Sequence, residues 1–334
     1  MNNLKSRRAF IVGLSSTKIT NKERLFLRKY KPWGVILFAR NIKSVDQTKK
    51  LTNDIKKIFK DPKYPILIDE EGGMVTRIRS IIDNSHFPAK YFGDNYKKDK
   101  TKSLLYLRTY IKQISHLLRY MGISINTVPV LDIPRPFTSK VIGTRAISKD
   151  INVINKIGEK TIEHFKEARI ATVIKHIPGH GLAKSDSHLK LPIVDKTYEY
   201  LMKNDFKTFK NKKSLFAMTA HILFRKIDAN NPATHSSKII GIIKKKIKFK
   251  NLIISDDISM KALKFNITLN TIKAFTAGCD LVLHCNGKIK EMTKVAENSK
   301  KLNKFIIEKT LKYYRLVGND LSLIHISEPT RLST

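Results

Sequence analysis

A chain of 334 residues, 41% hydrophobic and 28% charged, has the apolar material for a buried core and the charge to keep that core in solution, which excludes a chain disordered throughout. Two cysteines, Cys279 and Cys285, cannot staple a domain of this size and fit a reducing compartment. No apolar run approaches the ~18 residues of a membrane-crossing helix, so no membrane partner is expected.

The 65 Lys and Arg against 28 Asp and Glu give a formal charge of +37, which by itself suggests a polyanion as partner. The lysines are scattered through almost every polar stretch, as at Lys49 and Lys50, Lys56 and Lys57, Lys244 to Lys246, and Lys300 and Lys301. That spread reads as compositional bias on solvated helix faces. No helix-turn-helix, RNP-like or finger pattern is visible, and the basic residues are not interleaved with aromatics, so no specific nucleic-acid partner is expected and a basic nucleic-acid-binding protein is the lesser alternative.

In chain order, the N-terminus opens on a basic lead whose apolar stretch spans only residues 9–14, shorter than the ~7–15 residues of a signal core, and a cytoplasmic location is expected. Eight short β-rich apolar runs then recur, at residues 10–14, 34–38, 65–68, 123–131, 171–174, 215–218, 252–254 and 281–283. Between most of them lie amphipathic, Lys-rich stretches of helical period, such as 103–120, 153–168 and 201–209. Strand alternating with helix indicates an α/β fold, and near-continuous apolar strands indicate a parallel sheet covered on both faces. Eight such units predict a single TIM-like (β/α)8 barrel, with an open doubly wound sheet as the rival.

Polar residues follow the runs. Asp69-Glu70-Glu71, Lys175-His176, Thr219-Ala220-His221, Asp256-Asp257 and His284 stand at five strand ends, which a barrel gathers at one mouth. Singly, each is a loop start or a helix cap; together they point to an active site whose groups perturb one another. Asp256 fits a nucleophile, a metal ligand or a cap. His176, His180, His188 and His221 are available as ligands, but no H-E-x-x-H or Cys/His pattern organises them, so neither a metal nor a cofactor is expected.

The segment from Lys175 to His188 combines hinges at Gly179 and Gly181 with a dense set of functional groups, and such a loop can swing over a site carrying a proton donor. Asp186 and His188 are one residue apart and can meet if Ser187 turns outward, making His188 a plausible general acid and base; an Asx-type turn at Asp186 explains the same residues. Downstream of Asp69, two glycines precede Arg77 and Arg79. They allow either close approach of the backbone to a ligand or a tight turn, and a carboxylate there suits the vicinal hydroxyls of a sugar. Arg145 is a further basic candidate.

Taken in order, LIDEEGGMVTRIR (67–79), INTVPVLDI (125–133), GTRAIS (143–148), KHIPGHG with the following SDSH (175–188), MTAHI (218–222) and IISDDISM (253–260) resemble the bacterial β-N-acetylhexosaminidases of glycoside hydrolase family 3, peptidoglycan-recycling type. The resemblance spans roughly residues 8–318 and implies a single catalytic barrel over 1–318 without a second sandwich domain. It implies Asp256 as nucleophile, Asp186 with His188 as the acid/base dyad, and Asp69, Arg77, Arg145, Lys175 and His176 as contacts to a terminal N-acetylglucosamine. The implied partner is a muropeptide carrying that sugar, and the implied reaction is retaining hydrolysis in cell-wall recycling. A β-N-acetylglucosaminide phosphorylase using the same residues is the alternative, because an imidazole acid repels phosphate less than a carboxylate does. Met74 departs from the resemblance, since relatives commonly carry arginine after Gly-Gly. Residues 319–334 break the helical pattern before them and read as a non-native or disordered tail. The oligomeric state is not legible.

Overall fold

The computed structural model describes residues 2–187 and 189–318, without the side chains of Asn2 and Asn3; His188 and the segment 319–334 lie outside the described residues. Eight strands, β1 (Arg8–Gly13), β2 (Pro32–Leu37), β3 (Ile66–Ile68), β4 (Ile125–Asn126), β5 (Ala171–Ile177), β6 (Phe216–Thr219), β7 (Leu252–Asp257) and β8 (Leu281–His284), pair in parallel and in chain order. β8 returns to β1, Phe10 lying opposite Val282, and closes the barrel. All eight apolar runs therefore become strands, and the open-sheet rival is excluded.

Alternation along each strand sorts the side chains into two cores. Ile11, Trp33, Leu67, Ile125, Val173, Phe216, Ile254 and Leu283 fill the barrel interior. Their neighbours Phe10, Val12, Val35, Ile66, Ile174 and Ile253 face outward into a sheath of helices. Those helices are begun by the short polar residues that precede them: Thr20 and Glu23 form a reciprocal cap for Asn21–Tyr30, and Ser44, Asp99, Asp150 and Asn303 each accept a backbone N–H at the start of a helix. The last helix, Lys304–Val317, covers the N-terminal end of the barrel. The Trp33 indole donates to Thr310 Oγ1 at 2.8 Å, and the Trp33 ring meets Phe216 and Tyr313 at centroid distances of 5.4 and 6.3 Å.

Three details differ from the sequence reading. The run 123–131 yields only two residues of regular strand, because Pro129 brings no N–H to the ladder; pairing resumes irregularly where Leu131 N–H donates to Lys175 O at 2.8 Å. The stretch 201–209 is not one helix but Tyr198–Lys203 followed by a 3-10 turn, Asp205–Phe209. The break falls where the buried Asp205 carboxylate is gripped by both terminal nitrogens of Arg135, at 2.8 and 2.7 Å. Two short strands, Ile193–Val194 and Leu223–Phe224, form a separate parallel pair outside the barrel.

Candidate active site at the barrel mouth

Extending the inward alternation by one more step reaches the C-terminal rim. Leu67 leads to Asp69, Ile125 to Thr127, Val173 to Lys175, Ile254 to Asp256 and Leu283 to Cys285. The interior thus changes from aliphatic to ionisable within one residue layer. Asp69, Arg77, Arg145, Lys175, His176 and Asp256 line one pocket of about 780 Å³, open mouth included, together with Glu71, Met74, His180, Ser187, Met218 and Cys285. Six of the eight residues singled out in the sequence therefore meet. Asp186 is half-buried in the loop after β5 and is not part of that lining, and His188 lies outside the described residues.

Lys175 sits almost fully buried among acceptors: its Nζ donates to Asp69 Oδ1 at 2.9 Å and Thr127 Oγ1 at 2.8 Å, and lies 2.6 Å from Glu71 Oε1. Thr127 also donates to Asp69, and Arg77 approaches that carboxylate at 3.4 Å. Burial pushes the Asp69 carboxyl up, but Lys175 and Arg77 outweigh it and hold it well below the usual carboxylate range. Glu71 accepts from Arg145 Nε and Nη2 at 2.7 and 2.9 Å, a two-pronged grip on a planar guanidinium. Its burial is likewise overridden, here by Arg145 and Lys175, which bring its carboxyl down to about 2.

Glu70, one residue earlier, does different work. Its Oε2 accepts the backbone N–H of Arg77 at 2.8 Å and of Ile78 at 3.3 Å, and burial raises its carboxyl. The glycine pair between these groups is a tight turn. Gly72 and Gly73 have φ of +77° and +66°, and a Cβ on Gly72 would stand 2.3 Å from the Phe87 carbonyl oxygen. That turn folds the chain back so that Arg77 faces Asp69.

Asp132, fully buried, organises the next segment. It accepts from His176 Nδ1 at 2.8 Å and from the His180 backbone N–H at 2.6 Å. A carboxylate only accepts, so His176 carries its proton on Nδ1 and turns Nε2 to the pocket, 3.5 Å from Arg145 Nη2. Burial opposes the Asp132 charge, and His176 more than restores it, leaving the carboxyl lowered. Asp256 is fixed from two sides: its Oδ1 accepts the Asp257 N–H at 2.8 Å, and its own N–H points to Thr219 Oγ1 at 3.4 Å. Next to it, His221 Nε2 donates to the Asp257 carbonyl oxygen at 3.0 Å, and burial lowers the imidazole's affinity for a second proton.

Thr127 and Asp132 were not singled out from the sequence, and Glu71, His180 and Ser187 were named there without the roles the structure gives them. Thr127 was available by counting two residues past Ile125. Glu71 differs from Glu70 only by facing, which strand parity past β3 indicates. Asp132 gave no such signal, since its position depends on the irregular chain after Pro129. Among the described residues, no group of three or more His, Cys, Asp or Glu side chains is arranged to hold a metal ion, and no helix is long and apolar enough to cross a membrane.

A parallel eight-stranded barrel carrying carboxylates, cations and imidazoles at its C-terminal mouth has the layout of a barrel enzyme, and residues 4–313 match the glycosyl hydrolase family 3 N terminal domain. The chain belongs to that family and is a glycoside hydrolase. It is 33% identical over 282 residues to a beta-hexosaminidase of Methylobacillus flagellatus, covering 83% of this chain and 80% of the relative. A beta-hexosaminidase of Idiomarina loihiensis is 30% identical over 285 residues, with 83% and 84% covered. Among solved structures, NagZ from Neisseria gonorrhoeae in complex with N-trifluoroacetyl-D-glucosamine superposes with a TM-score of 0.82 at 25% identity, covering 92% of this chain and 90% of that one.

Proposed function

We propose that the protein is a retaining β-N-acetylhexosaminidase that removes terminal β-linked N-acetylglucosamine from muropeptides during cell-wall recycling. The observation that carries this reading is the convergence of Asp256 with Asp69, Arg77, Arg145, Lys175 and His176 around one pocket. The names of the relatives at about 30% identity support the sugar.

In this mechanism Asp69 accepts hydrogen bonds from sugar hydroxyls, with Lys175 and Arg77 holding it ionised. Arg145 and His176 Nε2 supply the facing donor and acceptor. Asp256 attacks the anomeric carbon through the oxygen not engaged by the Asp257 N–H, and the glycosidic C–O bond breaks as the Asp256 ester forms. His188, charged and supported by Asp186, gives its proton to the departing oxygen. It then takes one from the water that opens the ester, returning Asp256 as a carboxylate and the sugar with its original β configuration.

The test is product analysis on N-acetylglucosaminyl-anhydro-muropeptide. The expected first product is β-N-acetylglucosamine, and Asp256→Ala is expected to lower turnover by about 10³-fold or more. Release of the α anomer first would overturn retention; Asp256→Ala activity within a few-fold of the parent would remove it as nucleophile. Activity on chitobiose with none on the muropeptide would remove the recycling role.

A further inference from the structure

We propose that His180 is a positioning residue that latches the loop after β5 against the pocket by holding Ser187. This rests on the preceding assignment of Asp186 and His188, because Ser187 is the residue between them. The His180 ring is buried against His176, with ring centroids 5.6 Å apart, and its backbone N–H is anchored to Asp132. His180 Nε2 lies 3.1 Å from Ser187 Oγ. Ser187 is itself buried in the pocket wall, and its carbonyl oxygen accepts the Ala262 N–H at 3.2 Å from the segment after β7.

The loop is thus pinned at one residue from two sides, by His180 just past β5 through a side chain and by the segment after β7 through the backbone. The Ser187 hydroxyl faces the protein body, so this residue of the loop is held by an imidazole, not by solvent.

The groups facing His180 favour a fixed, uncharged ring. Burial first, then the neighbouring His176, push the imidazole down to about 4, against the opposing effect of Asp132 and Asp256. Among the described residues its Nδ1 has no hydrogen-bond partner, and Ser187 is its one side-chain hydrogen-bond anchor. Such a ring stays uncharged near neutral pH, which suits holding the loop. Gly181 assists, since a Cβ there would stand 1.9 Å from the Ile133 carbonyl oxygen and lift the loop off the barrel.

The experiment compares the parent with Ser187→Ala and His180→Asn in two independent readouts. Hydrogen exchange on the substrate-free proteins follows the Ala262 amide, whose acceptor is Ser187, and the peptides spanning 181–187. Both variants are expected to exchange about tenfold faster or more there. Unchanged exchange would overturn the latch. The kinetic readout is the ratio of turnover on a poor leaving group to turnover on an activated aryl β-N-acetylglucosaminide. A misplaced proton donor is expected to lower that ratio by about tenfold or more while KM stays within twofold. An equal loss on both substrates would also overturn it. Should His180→Asn fail to fold, Ser187→Ala, which removes one oxygen atom, decides alone. Faster exchange in the variants, with a parent that cleaves no β-N-acetylglucosaminide, would remove the proposed function and leave the latch standing.

Discussion

Replacing Glu71 by Gln keeps its volume and removes its charge, so the change isolates electrostatics from packing. Two buried cations depend on it. Lys175 keeps Asp69 and Thr127, at 2.9 and 2.8 Å, whereas Arg145 loses its charged partner and one of its two prongs, since Gln offers a single acceptor oxygen; it keeps the Val141 carbonyl oxygen at 3.0 Å and the His176 Nε2 contact at 3.5 Å. Removing one partner from a buried ion pair costs about 3–5 kcal/mol, because the remaining charge stays desolvated. The shift of the Glu71 carboxyl from an ordinary 4.5 to about 2 gives the same order independently, about 3 kcal/mol at ~1.4 kcal/mol per unit.

Urea unfolding at pH 7, followed by the fluorescence of the single tryptophan, Trp33, is the assay. With a slope of about 3 kcal/mol per molar, the midpoint is expected to fall by about 1 M. The pH dependence has a definite sign. A depressed carboxyl contributes fully above about 4.5 and loses that contribution as pH falls through about 2, so the gap between parent and variant persists at pH 5 and closes in stronger acid. A midpoint change below about 0.3 M at pH 7, or a gap that widens on acidification, would refute the reasoning.

At the other end of the barrel, Trp33→Ala removes a fully buried ring packed on Phe216 and Tyr313 and is expected to cost about 3–5 kcal/mol by circular dichroism, with turnover per folded molecule unchanged at low temperature. His180 and His235, both pushed down to about 4 by burial, stay neutral in the folded protein while the unfolded chain takes up protons. Stability is therefore expected to fall as pH drops from about 6.5 to 4, and constant urea midpoints between pH 7 and 4.5 would contradict this. A chelator is expected to leave turnover within twofold of its starting value; a loss restored by added zinc would reverse that expectation.

What could be read in advance follows from how local each signal was. The strands were legible because each is a run of apolar residues closed by a polar group, and Asp69, Lys175, His176 and Asp256 because each stands at a strand end; Arg77 and Arg145 lie well beyond theirs and were legible through the motifs that carry the resemblance. Extent was harder than existence. β4 stops early because one proline interrupts a ladder that hydrophobicity alone would continue, and the helix near 204 breaks because Asp205 is drawn to Arg135, 70 residues earlier in the chain. Asp132, which went unnoticed, and His180, which was named only as a possible ligand, act through partners brought together by folding. The glycine pair admitted two readings, which only the Phe87 carbonyl beside Gly72 resolves in favour of a turn.

The abrupt change from aliphatic to ionic side chains in the top tier of the barrel has a consequence for assembly. Strand parity has a period of two, so sliding β7 by one residue against its neighbours would thrust Asp256 among the aliphatic helices outside, and the same slip in β5 would send Lys175 there. Stranding such a charge costs several kcal/mol, comparable to a large share of a protein's net stability. The groups that define the mouth thereby act as a key against mispairing, and substitutions that neutralise them relax the discrimination between correct and shifted barrels as well as altering the chemistry.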